Sequence, residues 1–337
     1  TRKLCHKLHQ FFVCRRCRPG YGSAIYAIQR ERSGGERRLN TASLYLVTVL
    51  IWGSSWLAIR YQIGIVAPEI SLVYRFALAT VVLVLWCTAR GISLRFRLRD
   101  HPYLALLGFC LFSMNYLLFY HAAFNLATGL LAVIFSTMTV MNIVNSAVLL
   151  GRKTEKQTIL GACLGLAGMA LVFWPQIQQT GATTFAAVVI SVIATYLASI
   201  GNILSARNQM HGLPVVSANA IGMAYGTCFL LIYSLWSGAP FAFDTAGSYI
   251  GSLAFLALFA SAIAFGCYLT LVGRIGPEKA AYATVLFPIV ALSLSTWVEN
   301  FHWQGRAIAG VILVLGGNVI VLLGQTHFNT LIRLLRR

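Results

Sequence analysis

One arginine inside an apolar stretch is the residue of this sequence whose type and position most suggest ligand binding. Arg75 lies about two helical turns inside the apolar run 69–89, and a charge near the middle of a bilayer is costly unless it is paired or hydrated. One interpretation is that Arg75 contacts an anionic group of a ligand, such as a carboxylate. The other is that it snorkels or bonds to carbonyl groups and locks neighbouring helices together.

Polar residues at helical spacing form a second candidate site. The run 127–150 places one polar stripe on a single face, because its members are separated by four, three and four residues: Phe135, Thr139, Asn142 and Ser146. The run 183–206 has a similar stripe, formed by Tyr196, Ser199 and Asn202. Amides buried in lipid are satisfied by neighbouring helices or by water in a cavity. We expect these stripes to line a cavity, with bonding between helices as the alternative.

Aromatic residues and one proline complete the set of candidates. Trp52 and Trp56 are four residues apart, so they share a helix face and could stack on a ligand or a cation; packing within a bundle is the alternative. Tyr282 is a further candidate for ligand contact. Pro288 lies inside an apolar run, where it removes one backbone hydrogen bond, so we expect a kink or hinge there.

The composition shows what kind of scaffold must position these residues. The chain of 337 residues is 58% hydrophobic and only 10% charged, whereas soluble domains contain roughly a quarter charged residues. Because these charged side chains are too few to cover a water-facing surface, most of the surface must face lipid. The composition therefore excludes three classes of protein: a soluble enzyme, a nucleic-acid-binding domain and a disordered basic protein.

The apolar segments predict an all-α integral membrane protein with ten transmembrane helices. A span needs about 20 mainly apolar residues, and the runs do not alternate in hydrophobicity as the strands of a membrane barrel do. The predicted spans are 41–59, 69–89, 103–123, 127–150, 157–174, 183–206, 214–236, 247–272, 279–298 and 305–324.

The basic residues predict the orientation of the chain. Of 26 Lys and Arg residues, 23 lie in the two tails and in alternate connections, two lie in the other connections, and one is Arg75. By the positive-inside rule both termini are cytoplasmic, with basic tails at 1–40 and 325–337. The charge of +18 is thus a topology signal, and no nucleic-acid partner is expected. Cys14 and Cys17 have the spacing of half a zinc site, but without a second pair we expect no metal.

The second half of the chain repeats the first. A shift of 149 residues superposes 127–174 on the chain near its end without a gap, and pairs Ala132 with Ala281, Ser146 with Ser295, Gly161 with Gly310 and Gly168 with Gly317. Trp52 and Ser55 pair more loosely with Tyr196 and Ser199. Because each repeat has five spans, an odd number, the second copy must cross the membrane in the opposite direction. Inverted repeats of this kind are common in secondary transporters and point to alternating access.

Several short motifs make the chain resemble the drug/metabolite transporter superfamily, in particular its EamA-type members. The motifs are Leu50 to Trp56, Tyr74-Arg75-Phe76, Ala280 to Ala283, Phe287-Pro288, Glu299, and Gly310 to Asn318. The resemblance implies ten helices in two five-helix repeats, at 41–174 and 183–324, and export of metabolites or amino acids through a central cavity. One departure is that Gly151-Arg152-Lys153 stands where an acidic residue often ends the fourth helix.

Together these features predict a secondary transporter. The chain has no phosphate-binding Gly-x4-Gly-Lys-Ser/Thr loop and none of the hydrolase motifs, so we expect no cofactor and no catalytic residue. We expect an inner-membrane permease that exports a small metabolite, such as an amino acid or a drug-like compound, by alternating access. A homodimer is compatible with this prediction. The alternative is an integral-membrane enzyme or a lipid-handling protein without a recognised motif.

The residues assigned to this activity follow from the arguments above. Substrate contacts are predicted for Arg75, Trp52, Trp56, Asn142, Ser146, Tyr196, Asn202 and Tyr282. Pro288 is the predicted hinge. Glu299, at the end of the ninth span, is either a solvated helix-end carboxylate or a group for proton coupling.

Overall fold

A computed structural model describes residues 40–150, 156–180, 182–275, 280, 282–299 and 303–335. Within these ranges the chain is built from α-helices with short connections, and no β-strand occurs there. The amino-terminal tail up to residue 39, with Cys14 and Cys17, lies outside the described residues, as does the end of the carboxyl-terminal tail. The side chain of Tyr282 also lies outside them.

The helices of the described ranges follow the predicted apolar runs closely. They are α1 Thr41–Arg60, α2 Pro68–Ala89, α3 Leu98–Ala122, α4 Thr128–Ser136 with Met138–Leu150, α5 Lys156–Thr180, α6 Ala182–Met210, α7 Val215–Ser237, α8 Gly247–Ile275, α9 Tyr282–Val298 and α10 Gly305–Leu335. Seven of them, α1 to α4 and α6 to α8, are long and apolar enough to cross a bilayer. Shorter apolar stretches lie in α5, α9 and α10. The described part of the chain is therefore helical, with the apolar helices of a multi-pass membrane protein.

Local sequence signals explain where several helices begin and end. Asn40 caps α1, because its Oδ1 accepts a hydrogen bond of 2.7 Å from the backbone N–H of Ser43. Pro68 occupies the first position of α2, where its missing N–H is not needed. Gly238 ends α7 in the left-handed conformation, at φ 69°, which glycine adopts without steric cost.

Two helices contain a π-helical segment. In α3 the segment is Cys110–Met114, and in α8 it is Leu256–Ile263. The shift of 149 residues that superposes 127–174 on the chain near its end also carries Cys110–Met114 onto residues 259–263, inside the second segment. A π segment inserts an extra residue into a helical turn and rotates the faces that follow it, so both halves redirect the same helix in the same way.

The helix contacts obey a two-fold pattern. Helix α2 packs on α7, α4 on α9, and α5 on α10. The remaining main contacts come in equivalent pairs. The contact of α1 with α9 corresponds to that of α6 with α4, and the contact of α1 with α8 corresponds to that of α6 with α3. The contact of α2 with α8 corresponds to that of α7 with α3. Exchanging each helix of one half for its equivalent in the other half reproduces these main contacts.

Glycines bring α5 and α10 into close antiparallel contact. A Cβ added to Gly168 would lie 2.5 Å from the carbonyl oxygen of Gly310, and one added to Gly317 would lie 2.7 Å from that of Gly161. As residue numbers rise along α5, those of its contacts on α10 fall, so the two helices are antiparallel. Small residues of this kind allow helix backbones to approach each other in lipid.

Exposed aromatic side chains lie near helix ends. Trp236, at the end of α7, and Trp297, at the end of α9, are 83% and 82% exposed. Phe241 and Phe243 follow α7, and both are exposed. Large aromatic residues are enriched where a bilayer meets water, which fits helix ends at a membrane surface.

Candidate functional site

A small internal cavity lies at the centre of the bundle. It is bounded by α1, α3 and α4 from the first half and by α6, α8 and α9 from the second. The lining residues are Trp52, Ser55, Trp56, Ile59, Leu111, Asn115, Tyr116, Phe119, Phe135, Met138, Asn202, Phe265, Tyr268 and Phe287. The volume open to the centre of a water molecule is about 30 Å³, enough for about two waters.

Trp52 forms one wall of the cavity. Its ring centroid lies 4.8 Å from those of Phe265 and Tyr268. Its indole Nε1 donates a hydrogen bond of 3.1 Å to the carbonyl oxygen of Ala260, a residue of the π-helical segment of α8, where the backbone leaves carbonyl groups available to side chains. The ring is therefore held by packing and by one directional bond.

Trp56 forms the next part of this wall, one turn along α1. Its ring stacks on Phe287 of α9 with the centroids 6.3 Å apart, and it contacts Phe119 and Phe135 edge-on at 5.2 and 5.6 Å. Offset and edge-on contacts are the favourable geometries of aromatic pairs. The structure thus brings Trp52 and Trp56 together on one face, as the sequence predicts, with planar rings facing the cavity.

Amide and hydroxyl groups form a polar end of the cavity. Asn202 of α6 donates from Nδ2 to Tyr268 Oη at 3.3 Å and to Met138 Sδ at 3.2 Å. Asn142 lies beside the Tyr268 hydroxyl, fully buried, and Ser146 is fully buried one turn further along α4. Asn202 Oδ1 and Ser146 Oγ have no hydrogen-bond partner in the described part of the chain. Buried polar atoms are normally bonded. Of these residues Asn202 lines the cavity, whereas Asn142 and Ser146 lie behind the lining, so Asn202 Oδ1 is the acceptor available to water or a ligand.

Arg75 is buried behind the aromatic lining, with 1% of its surface exposed. Its Nε donates to Ser261 Oγ at 2.9 Å, and its Nη1 donates to Tyr120 Oη at 3.3 Å. The guanidinium carbon lies 4.4 Å from the ring centroid of Tyr116, which lines the cavity. No carboxylate of the described residues forms an ion pair with Arg75. The structure therefore places this charge one side chain away from the cavity, on neutral partners.

The polar stripe of α4 divides between the cavity and contacts with other helices. Phe135 lines the cavity, whereas Thr139 Oγ1 bonds to Thr284 Oγ1 of α9 at 3.0 Å. On α6, Ser199 Oγ accepts a hydrogen bond of 2.8 Å from Asn145. Both of the alternatives for polar residues, lining a cavity and bonding helices together, therefore occur within one stripe.

Tyr196 does not reach the cavity. Its side chain is 48% exposed and is absent from the lining, whereas Ser199 and Asn202 are fully buried. At 100° per residue, Tyr196 and Asn202 lie about 120° apart around a helix, while Ser199 lies about 60° from Asn202. The predicted shared face of α6 was too wide, because the structure places Tyr196 away from the cavity that Asn202 lines.

Glu299 lies at the junction of α9 and α4. Its Oε2 accepts hydrogen bonds from the backbone N–H of Thr128 at 3.0 Å, from Thr128 Oγ1 at 2.9 Å and from Ser295 Oγ. The N-cap residue of α4 is Ala127, which has no side-chain acceptor of its own. The carboxylate therefore caps α4 from another helix, a position where negative charge is favourable.

Sequence reasoning missed several lining residues on α3. Asn115, Tyr116 and Phe119 all face the cavity, directly after the π-helical segment of that helix. An amide inside an apolar run, at Asn115, was the available signal. Pro288 is buried within α9 next to Phe287, which lines the cavity.

Comparisons with known proteins agree with this architecture. A model of the EamA-like transporter family matches residues 40–174 and again residues 183–323. The "uncharacterized inner membrane transporter YedA" of Escherichia coli K12 is 28% identical over 284 residues, which cover 80% of this chain and 89% of that protein. A "probable amino-acid metabolite efflux pump" of Salmonella typhimurium is 22% identical over 293 residues, covering 83% and 94%. A crystal structure shares the fold with a TM-score of 0.63 at 15% identity, covering 84% of this chain and 97% of the other.

Proposed function

Because the chain belongs to the EamA-like transporter family, whose model matches both of its halves, we propose that it is a secondary transporter that exports a small metabolite by alternating access. Family membership makes it a multi-pass membrane transporter. The substrate class proposed is an amino acid or a drug-like compound, and the name of the Salmonella relative supports the amino acid.

The observation that carries the proposal is that equivalent helices from both halves of the chain line the cavity. The helices that line it are three equivalent pairs, α1 with α6, α3 with α8 and α4 with α9. The antiparallel contact of α5 with α10, which Gly168 and Gly310 make, supports ten helices in two inverted repeats, at 41–174 and 183–324. Two inverted halves around one site can exchange conformations, so that the site opens to each side of the membrane in turn.

The size of the cavity supports movement during transport. Only about 30 Å³ is open to the centre of a water molecule in this conformation, and we propose that lining helices separate to admit the substrate. Pro288 in α9 removes a backbone hydrogen bond beside the lining residue Phe287. We propose Pro288 as the hinge of this movement.

We propose that the substrate is held by both kinds of lining described above. Trp52 and Trp56 stack on its apolar part, and Asn202, with Asn142 and Ser146 behind it, bonds to its polar part. Tyr282 stays a prediction for this site.

The proposed location is the bacterial inner membrane, with both termini in the cytoplasm. The distribution of basic residues supports this orientation, and the name of the Escherichia coli relative supports the inner membrane. A homodimer is compatible with the proposal. With both termini in the cytoplasm, exposed Trp236 and Trp297 would lie at the outer surface of the bilayer.

Reconstitution tests the proposed function. The purified chain is placed in liposomes loaded with radiolabelled amino acids or drug-like compounds, and release is followed together with the chemical identity of the released compound. We expect flux of an unmodified compound, reduced at least tenfold by Trp56→Ala. The matched control is Trp236→Ala, which removes an exposed tryptophan far from the cavity. Product formation without flux, or equal flux in both variants, would contradict the proposal.

A further inference from the structure

Building on the transporter function proposed above, we propose that Arg75 sets a charge preference for the cavity: the site takes planar compounds that carry a carboxylate or a similar anionic group, and it rejects organic cations.

The lining by itself would favour a positively charged ligand. The ring centroids of Trp52 and Trp56 each lie 6.3 Å from that of Phe287, and a cage of aromatic rings attracts cations through their quadrupoles. The lining residues include no carboxylate, and no positively charged side chain either. Without a further charge nearby, an amine would be the preferred ligand.

Arg75 supplies that further charge. Tyr116 both lines the cavity and carries the guanidinium 4.4 Å from its ring centroid, so a single side chain separates the charge from the ligand. The partners of the guanidinium, Ser261 and Tyr120, are neutral hydroxyls. Its charge is therefore not cancelled locally, and it acts on the cavity through a poorly screening interior.

The size of the effect follows from Coulomb's law. Two unit charges about 8 Å apart, in an effective dielectric of about 20, change a binding constant roughly thirtyfold. The anion gains this factor and the cation loses it. Even after partial screening by water in the cavity, we expect an acid to bind at least about tenfold more tightly than an amine of the same shape.

The planar part of the ligand follows from the tryptophans. Trp56 and Phe287 stack with an interplanar angle of 29°, and a flat ring that inserts beside them gains the same offset contacts. Asn202 Oδ1, which has no partner in the described residues, adds an acceptor for an N–H of the ligand. A flat heterocycle with an acidic side chain matches all three features.

Three probes that share one ring test the proposal. The full-length protein in lipid nanodiscs is titrated by calorimetry at pH 7 with indole-3-propionate, indole-3-propionamide and tryptamine, which are anionic, neutral and cationic. We expect dissociation constants to rise in that order, with at least tenfold between the acid and the amine. Tryptamine binding as tightly as the acid, or no binding of any probe, would overturn the proposal.

Variants separate the charge from the fold. Arg75→Gln should lower the preference for the acid at least tenfold and move it towards the amine, while Arg75→Lys should keep it. Ser261→Asp leaves Arg75 in place but neutralises it, and should act like Arg75→Gln. Arg90→Gln removes the same charge near the end of α2, stacked on exposed Trp86, and should change nothing. An acid-to-amine ratio that stays constant in both Arg75→Gln and Ser261→Asp would also overturn the proposal.

Failure of the charge preference and failure of the proposed transport can be told apart. If the acid binds as expected but no compound crosses liposomes, the proposed function fails and the charge preference stands. If an unrelated compound is transported and none of the indoles binds, the transporter stands and the substrate class is wrong.

Discussion

Changing Glu299 to glutamine distinguishes a structural from a coupling role for this carboxylate. In the structure Glu299 accepts hydrogen bonds from the Thr128 backbone and hydroxyl, and from Ser295. Because α4 begins after Ala127, which offers no side-chain cap, Glu299 is the group that satisfies the first N–H of the helix. A capping group should matter for stability whether or not protons move.

The cost of the substitution is estimated from these three bonds. Glutamine keeps one oxygen acceptor but removes the charge, and charge-assisted hydrogen bonds are about twice as strong as neutral ones. Losing a negative charge at a helix N-terminus costs a further ~0.3–1 kcal/mol. Because the site is only part-buried, we expect Glu299→Gln to lower the free energy of unfolding by about 1–2 kcal/mol, and Glu299→Ala by about 2–3 kcal/mol.

The assay is thermal unfolding of the purified variants in one detergent, followed by tryptophan fluorescence. Asp244→Asn is the control, because Asp244 makes a comparable bond to the backbone of Ala246 at an exposed site and should cost less than about 0.5 kcal/mol. An unchanged midpoint for Glu299→Gln, together with loss of the pH dependence of transport, would refute the capping account and favour coupling.

Three further predictions follow from the packing. Gly168→Ala and Gly310→Ala should each lower the free energy of unfolding by about 1–3 kcal/mol, because the new methyl group meets a backbone oxygen. Gly165 has open space around it, so Gly165→Ala should change that free energy by less than about 0.5 kcal/mol in the same unfolding assay. Trp52→Phe removes the bond to Ala260 and should cost about 1–2 kcal/mol in chemical denaturation, and no loss would contradict the role of that bond. Tyr268→Phe should weaken ligand binding about fivefold, because it removes a hydrogen-bond partner of Asn202. Tyr196 is exposed, so Tyr196→Ala should leave flux within about twofold of the unsubstituted protein. A larger loss for Tyr196→Ala than for Tyr268→Phe would return Tyr196 to the site.

The sequence was most informative where one physical requirement dominates. The apolar runs predict the helices well, because a bilayer imposes a minimum length on every span. Trp52 and Trp56 were assigned correctly to one face, since four residues make about one turn. The glycines that the repeat pairs include Gly168 and Gly310, and the structure places these two in a close contact between α5 and α10.

The faces of individual helices were harder to predict. In a membrane bundle the lipid and the protein interior are both apolar, so hydrophobicity does not separate buried from exposed sides. Tyr196 was therefore assigned to the wrong side of α6. On α3 the π-helical segment turns the following residues, which is why Tyr116 and Phe119 were missed. The bond of Glu299 to Thr128 joins residues 171 positions apart, and no local pattern could indicate it.

Accessibility of Ser55 from the two sides of the membrane tests alternating access most directly. Ser55 lines the cavity, and a cysteine there changes the side chain little. After the native cysteines are replaced, Ser55→Cys is treated with a membrane-impermeant maleimide in intact cells and in inverted vesicles. Ser54→Cys, one residue along α1 and outside the cavity lining, is the control. We expect Ser55→Cys to react from both sides and Ser54→Cys from neither; reaction of Ser55→Cys from one side only, under all ligand conditions, would contradict the account.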